Sequence, residues 1–174
     1  MKMNFKKITL ALIAILMVIS FVGCAGDEVV PDGMKNAARD EDPFYLFVPE
    51  SWMANKGDVV GAYYSSADKS NVTIMPYGGD LTTTDEYWAD FKTRCEAEFA
   101  EFTVVAENEA KVISQRNALQ YTYTLKIDGK AYKCQQTVFT YGNLLYVITY
   151  TALADNYDAH IDDVNNILSV FAFK

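Results

Sequence analysis

The stretch ALQYTYTLKIDGKAYKCQQTVFTYGNLLYVITYTA, residues 118–152, contains three apolar segments separated by two short turns. Asp128-Gly129 and Gly142-Asn143 are residue pairs typical of two-residue hairpin loops. The first segment has apolar side chains at every second position, which is the period of a β-strand: Leu119, Tyr121, Tyr123, Leu125 and Ile127. The stretch therefore predicts an antiparallel meander of three strands.

The first turn also sets the register of the first two strands. If Asp128-Gly129 forms the loop, Ile127 pairs with Lys130. Counting back along both strands then places Tyr123 opposite Cys134.

The third strand of the meander is apolar on both of its faces. One face carries Leu145 and Val147. The other face carries Tyr146, Ile148 and Tyr150. A strand of this kind is typical of the centre of a sheet that is covered on both sides.

Two segments have the 3.6-residue period of an amphipathic helix. Threonine and aspartate residues before the first of them are candidate N-caps. In residues 82–102 the apolar stripe is Trp88, Phe91, Cys95, Phe99 and Phe102. In residues 154–174 it is Tyr157, Ile161, Val164 and Leu168, and the last residues form a short extended piece.

The order of the elements predicts the fold class. Further strands are expected at 45–48, 59–66 and 71–77, and a short one at 110–115. Strands, a helix, a meander and a second helix, with a central strand buried on both sides, indicate an α+β fold. We expect an α/β/α sandwich, in which two helices flank a mainly antiparallel central sheet.

Residues 1–23 have the pattern of a lipoprotein signal peptide. Three lysines precede an apolar run from Ile8 to Gly23, which is shorter than the about 20 residues that span a bilayer. The run ends in FVGC, which resembles the bacterial lipobox, although Phe21 stands where leucine is usual. We expect Cys24 to be acylated and to become the first mature residue. An ordinary signal peptide and a retained signal anchor are the alternatives.

Residues 24–43 are polar and acidic, and we expect them to form a flexible tether. The folded domain is predicted to span 44–174, where the aromatic residues are concentrated. The formal net charge of −8 disfavours binding to nucleic acid and to anionic lipid headgroups. Attachment to the extracytoplasmic face of the cell membrane is therefore expected through the lipid on Cys24.

Two stretches resemble PsbP-like domains. YLFVPESW, residues 45–52, is similar to their opening strand and Pro-x-x-Trp turn, and residues 144–173 are similar to their closing strand, tyrosine-containing helix and tail. The DGKAYKCQQ hairpin, residues 128–136, fits between these stretches. The resemblance covers 44–174 and implies an α/β/α sandwich. Members of this family act mainly as binding or assembly modules, and the resemblance transfers no metal or partner-binding residue.

Cys95 and Cys134 are the cysteines that remain if Cys24 is acylated. They lie on the apolar stripe of the first helix and on one sheet face, which could meet. A disulfide between them is one interpretation for an exported protein. Two buried, reduced thiols packed as small apolar groups are the other.

Five aromatic residues are candidates for an apolar ligand cleft: Trp52, Tyr63, Tyr64, Tyr77 and Tyr146. The alternative is that these side chains fill the interfaces between the sheet and the helices.

His160 is the single histidine of the chain and lies in a segment rich in aspartate. Helical spacing groups Asp155, Asp158 and Asp162 and turns His160 away from them, so we expect a solvated acidic face and no metal site. The sequence lacks a G-x-S-x-G nucleophile motif, and we expect neither an enzyme nor a cofactor.

The main functional expectation is a non-enzymatic binding or assembly module with an envelope protein as its partner. The alternative is a small-ligand or metal-binding lipoprotein that serves an envelope transporter.

Mass spectrometry of the mature N-terminus tests the expected processing. The mature chain should begin at Cys24 and carry the mass of its acyl chains, and a Cys24→Ser variant should lack that mass. An unmodified chain that begins at another residue would contradict the lipoprotein interpretation.

Overall fold

The computed structural model describes residues 29–174, which form an α+β fold of eleven strands and two α-helices. The strands are β1 (Met34–Asn36), β2 (Phe44–Tyr45), β3 (Phe47–Pro49), β4 (Met53–Lys56), β5 (Val60–Tyr63), β6 (Asn71–Tyr77), β7 (Thr103–Ile113), β8 (Arg116–Ile127), β9 (Lys130–Tyr141), β10 (Leu144–Leu153) and β11 (Ala172–Phe173). The helices are α1 (Thr84–Glu98) and α2 (Ile161–Val170), and a 3-10 turn at Tyr157–Ala159 precedes α2.

Seven strands form one sheet in the order β4-β5-β6-β10-β9-β8-β7, and every neighbouring pair is antiparallel. The predicted meander is confirmed as β8, β9 and β10. Its register is also confirmed, because Ile127 pairs with Lys130 and Tyr123 pairs with Cys134. Two small two-stranded sheets, β1-β3 and β2-β11, lie outside this large sheet.

Strand β10 lies between β6 and β9, as its two apolar faces predict. Alternate side chains enter two separate apolar clusters. The α2-side cluster contains Tyr146, Ile148 and Tyr150 of β10 together with Val164, Ile167 and Leu168 of α2. The α1-side cluster contains Leu145 and Val147 of β10 together with Tyr87 and Trp88 of α1. The antiparallel sheet and the two helices of the predicted α+β fold are therefore present.

Helix α1 begins at a capping box. The Glu86 amide donates to Thr83 Oγ1 at 3.2 Å, and the Thr83 amide donates back to Glu86 Oε2 at 3.2 Å. These two bonds satisfy backbone donors that a helix start leaves without a partner. Trp88 and Cys95 of the predicted apolar stripe are buried, and Phe91, Phe99 and Phe102 are partly buried against the α1-side cluster.

The predicted short strand at 110–115 is wrong in extent. Strand β7 runs from Thr103 to Ile113 and pairs with β8, with irregular register on both sides of Ala106. Most of its residues are exposed, and the exposed ones include both polar and apolar side chains, so the apolar period that reveals other strands is weak here. Strand β4 was missed for the same reason, because all four of its residues are exposed.

The domain boundary at 44 is also placed too late. Strand β1 pairs with β3, and Ala37 and Ala38 are fully buried. The side-chain oxygen of Asn36 accepts hydrogen bonds from the amides of Ala38 at 2.9 Å and Leu46 at 3.2 Å. Residues from Met34 onward thus belong to the fold and not to the predicted tether. Two alanines give little apolar signal in a sequence, although they pack closely in a structure.

The predicted signal peptide, residues 1–23, and the acylated Cys24 lie outside the described residues. Within residues 29–174, no helix is long and apolar enough to cross a membrane.

Replacing Thr83 with alanine should lower the free energy of unfolding by about 1 kcal/mol, because the N-cap hydroxyl is lost. Thr93→Ala is the matched control. Thr93 is exposed in the middle of α1 and donates to the Ala89 carbonyl, so its loss should change stability by less than about 0.5 kcal/mol. Urea denaturation measures both values, and equal losses would contradict the capping role.

Candidate functional site

A groove of about 550 Å³ crosses β5 and β6 beside the edge strand β4. Val60 and Ala62 of β5 face the α2-side cluster, so Gly61 and Tyr63 face the opposite side of the sheet. Among residues 29–174, the α1-side cluster includes no side chain from β4 or β5. This end of the sheet is therefore left open. The polar and aromatic residues that line the groove are Asn55, Tyr63, Ser65, Ser66, Lys69, Asn71 and Thr73.

Gly61 forms part of the floor of the groove. A Cβ atom at this position would overlap the backbone carbonyl oxygen of Val72 and lie 3.0 Å from the Cα atom of Thr73. Both obstacles are backbone atoms of β6, which side-chain rotation cannot move. Glycine thus allows β5 and β6 to approach closely beneath the groove.

The loop between β5 and β6 forms one wall and is organised by Asp68. The Asp68 amide donates to Ser65 Oγ at 2.9 Å. Oδ1 of Asp68 accepts from the Ser70 amide at 2.9 Å and from Ser70 Oγ at 2.7 Å. The backbone closes the loop as well, since the Tyr64 amide donates to the Ser70 carbonyl at 2.8 Å. Such a network holds Ser65, Ser66 and Lys69 in place before any ligand arrives.

His160 fastens this loop to the start of α2. Its Nε2 lies 2.9 Å from Asp68 Oδ2, and the imidazole is buried between two aromatic rings. The ring centroids of Tyr64 and Trp52 lie 4.0 Å and 6.0 Å from that of His160. The indole nitrogen of Trp52 donates to Asp163 Oδ2 at 3.0 Å. These contacts join the β5–β6 loop, the turn that contains Trp52 and the start of α2.

The helical spacing that groups Asp155, Asp158 and Asp162 does not apply, because α2 begins at Ile161 and two of these aspartates precede it. The partner of His160 was also missed. Asp68 lies 92 residues before His160, and no sequence period connects them. Among the described residues, the structure shows no group of three or more His, Cys, Asp or Glu side chains suited to a metal ion.

The Asp68 carboxylate has a pKa of about 2, below its ordinary value of 3.8. Partial burial alone would raise this pKa. Hydrogen bonds from the side chain and backbone of Ser70, and then from His160, outweigh burial because they stabilise the charged form. Asp68 is therefore a carboxylate at neutral pH.

The contacts of Ser70 show what this cluster does chemically. The Ser70 hydroxyl and the His160 ring both bond to the carboxylate of Asp68. A nucleophilic serine instead needs a bond to the histidine that removes its proton. Ser70 is also 2% exposed. The hydrogen bonds of Ser70 and His160 to Asp68 therefore position the β5–β6 loop.

The five predicted cleft aromatics do not line one cleft. Trp52 and Tyr64 pack together beside His160, and Tyr63 faces the groove on the other side of β5. Tyr77 packs against Tyr87 at 5.2 Å in the α1-side cluster. Tyr146 lies in the α2-side cluster beside a separate cavity. The structure does not bring the five candidates together in one cleft, because they lie on different elements and on both faces of the sheet. The alternative, that such side chains fill the interfaces between sheet and helices, describes Trp52, Tyr77 and Tyr146.

Cys95 and Cys134 are free, buried thiols in the structure, so the alternative interpretation of two packed thiols describes it. Burial raises the pKa of the Cys134 thiol to about 11 and also raises the pKa of Cys95. The thiolate that would start disulfide formation is disfavoured at both positions.

Removing the Asp68 side chain should destabilise the fold in a pH-dependent way. Because the pKa of Asp68 is lowered on folding, its contribution is complete above about pH 3.8 and is lost as the pH falls toward 2. Asp68→Ala should lower the free energy of unfolding by about 1–2 kcal/mol at pH 6. The difference in this free energy between the variant and the unsubstituted chain should be smaller at pH 3.

The control is Asp155→Ala, at an exposed aspartate. Urea denaturation at both pH values should show a small, constant difference for this variant. A constant gap for Asp68→Ala would mean that its charge does not stabilise the loop.

No protein-family model and no curated protein sequence matches this chain. Solved structures of low sequence identity do match. Cyanobacterial PsbP (CyanoP) from Synechocystis sp. PCC 6803 has a TM-score of 0.58 at 14% identity, over 88% of this chain and 99% of its own.

Two further structures are similar. LpqN, involved in cell envelope biogenesis of Mycobacterium tuberculosis, has a TM-score of 0.54 at 16% identity, over 81% of this chain and 90% of its own. PA94 from Pseudomonas aeruginosa, a putative regulator of unknown function, has a TM-score of 0.56 at 15% identity, over 79% of this chain and 94% of its own. At such identities the likeness shows the fold alone. The chain has the fold of PsbP-like domains.

Proposed function

We propose that this chain is a non-enzymatic binding module, built as an α/β/α sandwich and held at the extracytoplasmic face of the cell membrane by a lipid on Cys24. The groove across β5 and β6 is its binding surface. The observation that carries the proposal is the wall of the groove, which the Asp68 network fixes. It stands beside the side of β5 that the described residues of the α1-side cluster leave uncovered.

The side chains of the groove have unused binding capacity. Within residues 29–174, no hydrogen bond involves the hydroxyls of Tyr63, Ser66 and Thr73, and Lys69 forms no ion pair. Polar groups that converge on one concave surface without partners are typical of a binding site.

The adjacent edge of the sheet suits an extended protein segment. Strand β4 pairs with β5 on one side, and within the described residues its other edge has no partner strand. All four β4 residues are exposed. A segment that pairs with this edge could lay its side chains in the groove, as in β-strand addition. Lys69 is the one charged residue among the described residues that line the groove, so it favours a segment with an acidic side chain.

The proposed anchor would keep this surface close to the membrane. The fold begins at Met34, so only nine residues separate it from Cys24. A chain of nine residues spans at most about 32 Å. The similar fold of LpqN, whose name links it to cell envelope biogenesis, supports an envelope setting. We therefore infer an envelope protein as the partner.

A second candidate function is delivery of a small ligand to an envelope transporter. A smaller, partly enclosed cavity elsewhere in the domain favours this alternative.

Site-specific photocrosslinking in native cells tests the main proposal. A crosslinker at Ser66 or Asn55 should capture the same envelope protein, because both residues line the groove. The matched control is a crosslinker at Asp128, in the exposed β8–β9 turn.

Lys69→Glu should reduce capture of that protein from Ser66, because it reverses the charge in the groove. Equal capture from Asp128 and Ser66 would contradict the assignment of the groove. Capture of no protein from either groove position would contradict the protein partner itself.

A further inference from the structure

A partly enclosed cavity of about 190 Å³ lies between residues 39–44 and the ends of β5, β6 and β10. It is separate from the groove and shares no lining residue with it. Its wall is mainly apolar and includes Phe44, Val60, Ile74, Leu144 and Tyr146. Charged residues from the covering segment and from the β4–β5 turn stand at its rim.

The covering segment is held firmly over the cavity. The Arg39 amide donates to Asp42 Oδ2 at 2.8 Å, and its guanidinium donates to Asp42 Oδ1 at 2.8 Å. At the other end of the chain, Nζ of Lys174 donates to the Asp40 carbonyl at 2.8 Å. These contacts join both ends of the domain above the cavity, so the space exists before a ligand enters.

The volume limits the ligand to a small molecule. An apolar protein cavity of about 150 Å³ is large enough to bind benzene. A cavity of about 190 Å³ therefore accepts a six-membered ring, or an aliphatic body of similar size, together with a short head group.

Tyr146 supplies a polar group inside this apolar wall. The residue is 2% exposed and its ring meets Phe44 edge-on, at 6.2 Å between centroids. Within residues 29–174 its hydroxyl makes no hydrogen bond. Burial raises the pKa of this phenol, which keeps the hydroxyl neutral and able to donate or accept. Among the described residues only the Tyr121 hydroxyl is fully buried without a partner, so the Tyr146 hydroxyl is accessible and can bond to a ligand in the cavity.

The charges at the rim favour a cationic head group over an anionic one. Arg39 is already neutralised by Asp42 at 2.8 Å, with Glu41 at 3.6 Å. Asp58 also lines the cavity, is exposed and forms no ion pair within the described residues. The carboxylates of Glu41, Asp42 and Asp58 outnumber the nearby cations of Arg39 and Lys174. This excess of negative charge favours an ammonium group over an anion.

We propose that this cavity is a binding site for a small amine with an apolar body of about the size of benzene. The body packs between Phe44, Ile74 and Leu144, and the ammonium group lies at the rim beside Asp58. Tyr146 accepts a hydrogen bond from the head group. This site shares no lining residue with the groove. Failure of amine binding here would therefore not contradict the proposed protein-binding groove, and failure at the groove would not contradict this site.

Titration of the protein with three probes of one shape tests the proposal by NMR. Benzylamine, benzyl alcohol and benzoate share a ring and differ in charge. Benzylamine should give saturable shifts of the Val60, Ile74 and Leu144 resonances and bind about three- to fivefold more tightly than benzyl alcohol. Benzoate should bind most weakly. Absence of saturable shifts with benzylamine, or tighter binding of benzoate, would overturn the site.

Two conservative variants with matched controls identify the groups responsible. Asp58→Asn should bring benzylamine and benzyl alcohol to within about twofold of each other, whereas Asp128→Asn, at another exposed turn, should leave their ratio unchanged. Tyr146→Phe should weaken both probes, and Tyr132→Phe, in the α1-side cluster, should not. A preference for the amine that survives Asp58→Asn would remove Asp58 from the site and overturn the proposed amine recognition.

Discussion

Burial of β10 on both faces is the constraint on which the rest of the structure depends. A strand with Leu145 and Val147 on one side and Tyr146 and Ile148 on the other exposes apolar surface unless both sides are covered. One side packs with α1 residues and the other with α2 residues. Once the centre of the sheet is covered in this way, the strands at its two ends are freer to carry polar side chains. The groove lies at one of these ends, on β5 and β6 beside the edge strand β4.

The Asp68–His160 contact links the groove to the packed part of the sheet. His160 directly precedes α2, whose buried side fixes its position on the sheet. By bonding to Asp68, the histidine transfers this fixed position to the β5–β6 loop. A flexible loop would have to be ordered on binding, at a cost in conformational entropy. The network meets that cost during folding, which is the physical basis for treating the groove as a preformed site.

Local patterns predicted much of the sheet and both helices, but not the candidate site. The Asp128-Gly129 turn and the alternation in β8 predicted the pairing of Tyr123 with Cys134, because register follows from turn length. Strand β4 and most of β7 lack an apolar period because they are exposed. The Asp68–His160 contact joins residues far apart in the chain, and the two alanines that extend the fold to Met34 are small. Each of these features depends on tertiary contacts that a local pattern does not record.

Amide hydrogen exchange in the loop tests the central claim, that the groove wall is fixed without a ligand. The amides of Tyr64, Ser65, Asp68 and Ser70 all donate hydrogen bonds within the loop. In the ligand-free protein they should exchange slowly, with protection approaching that of Val72 and Ile74 in β6. Exchange of these four amides at the rate of an unstructured peptide, while β6 remains protected, would contradict a preformed groove.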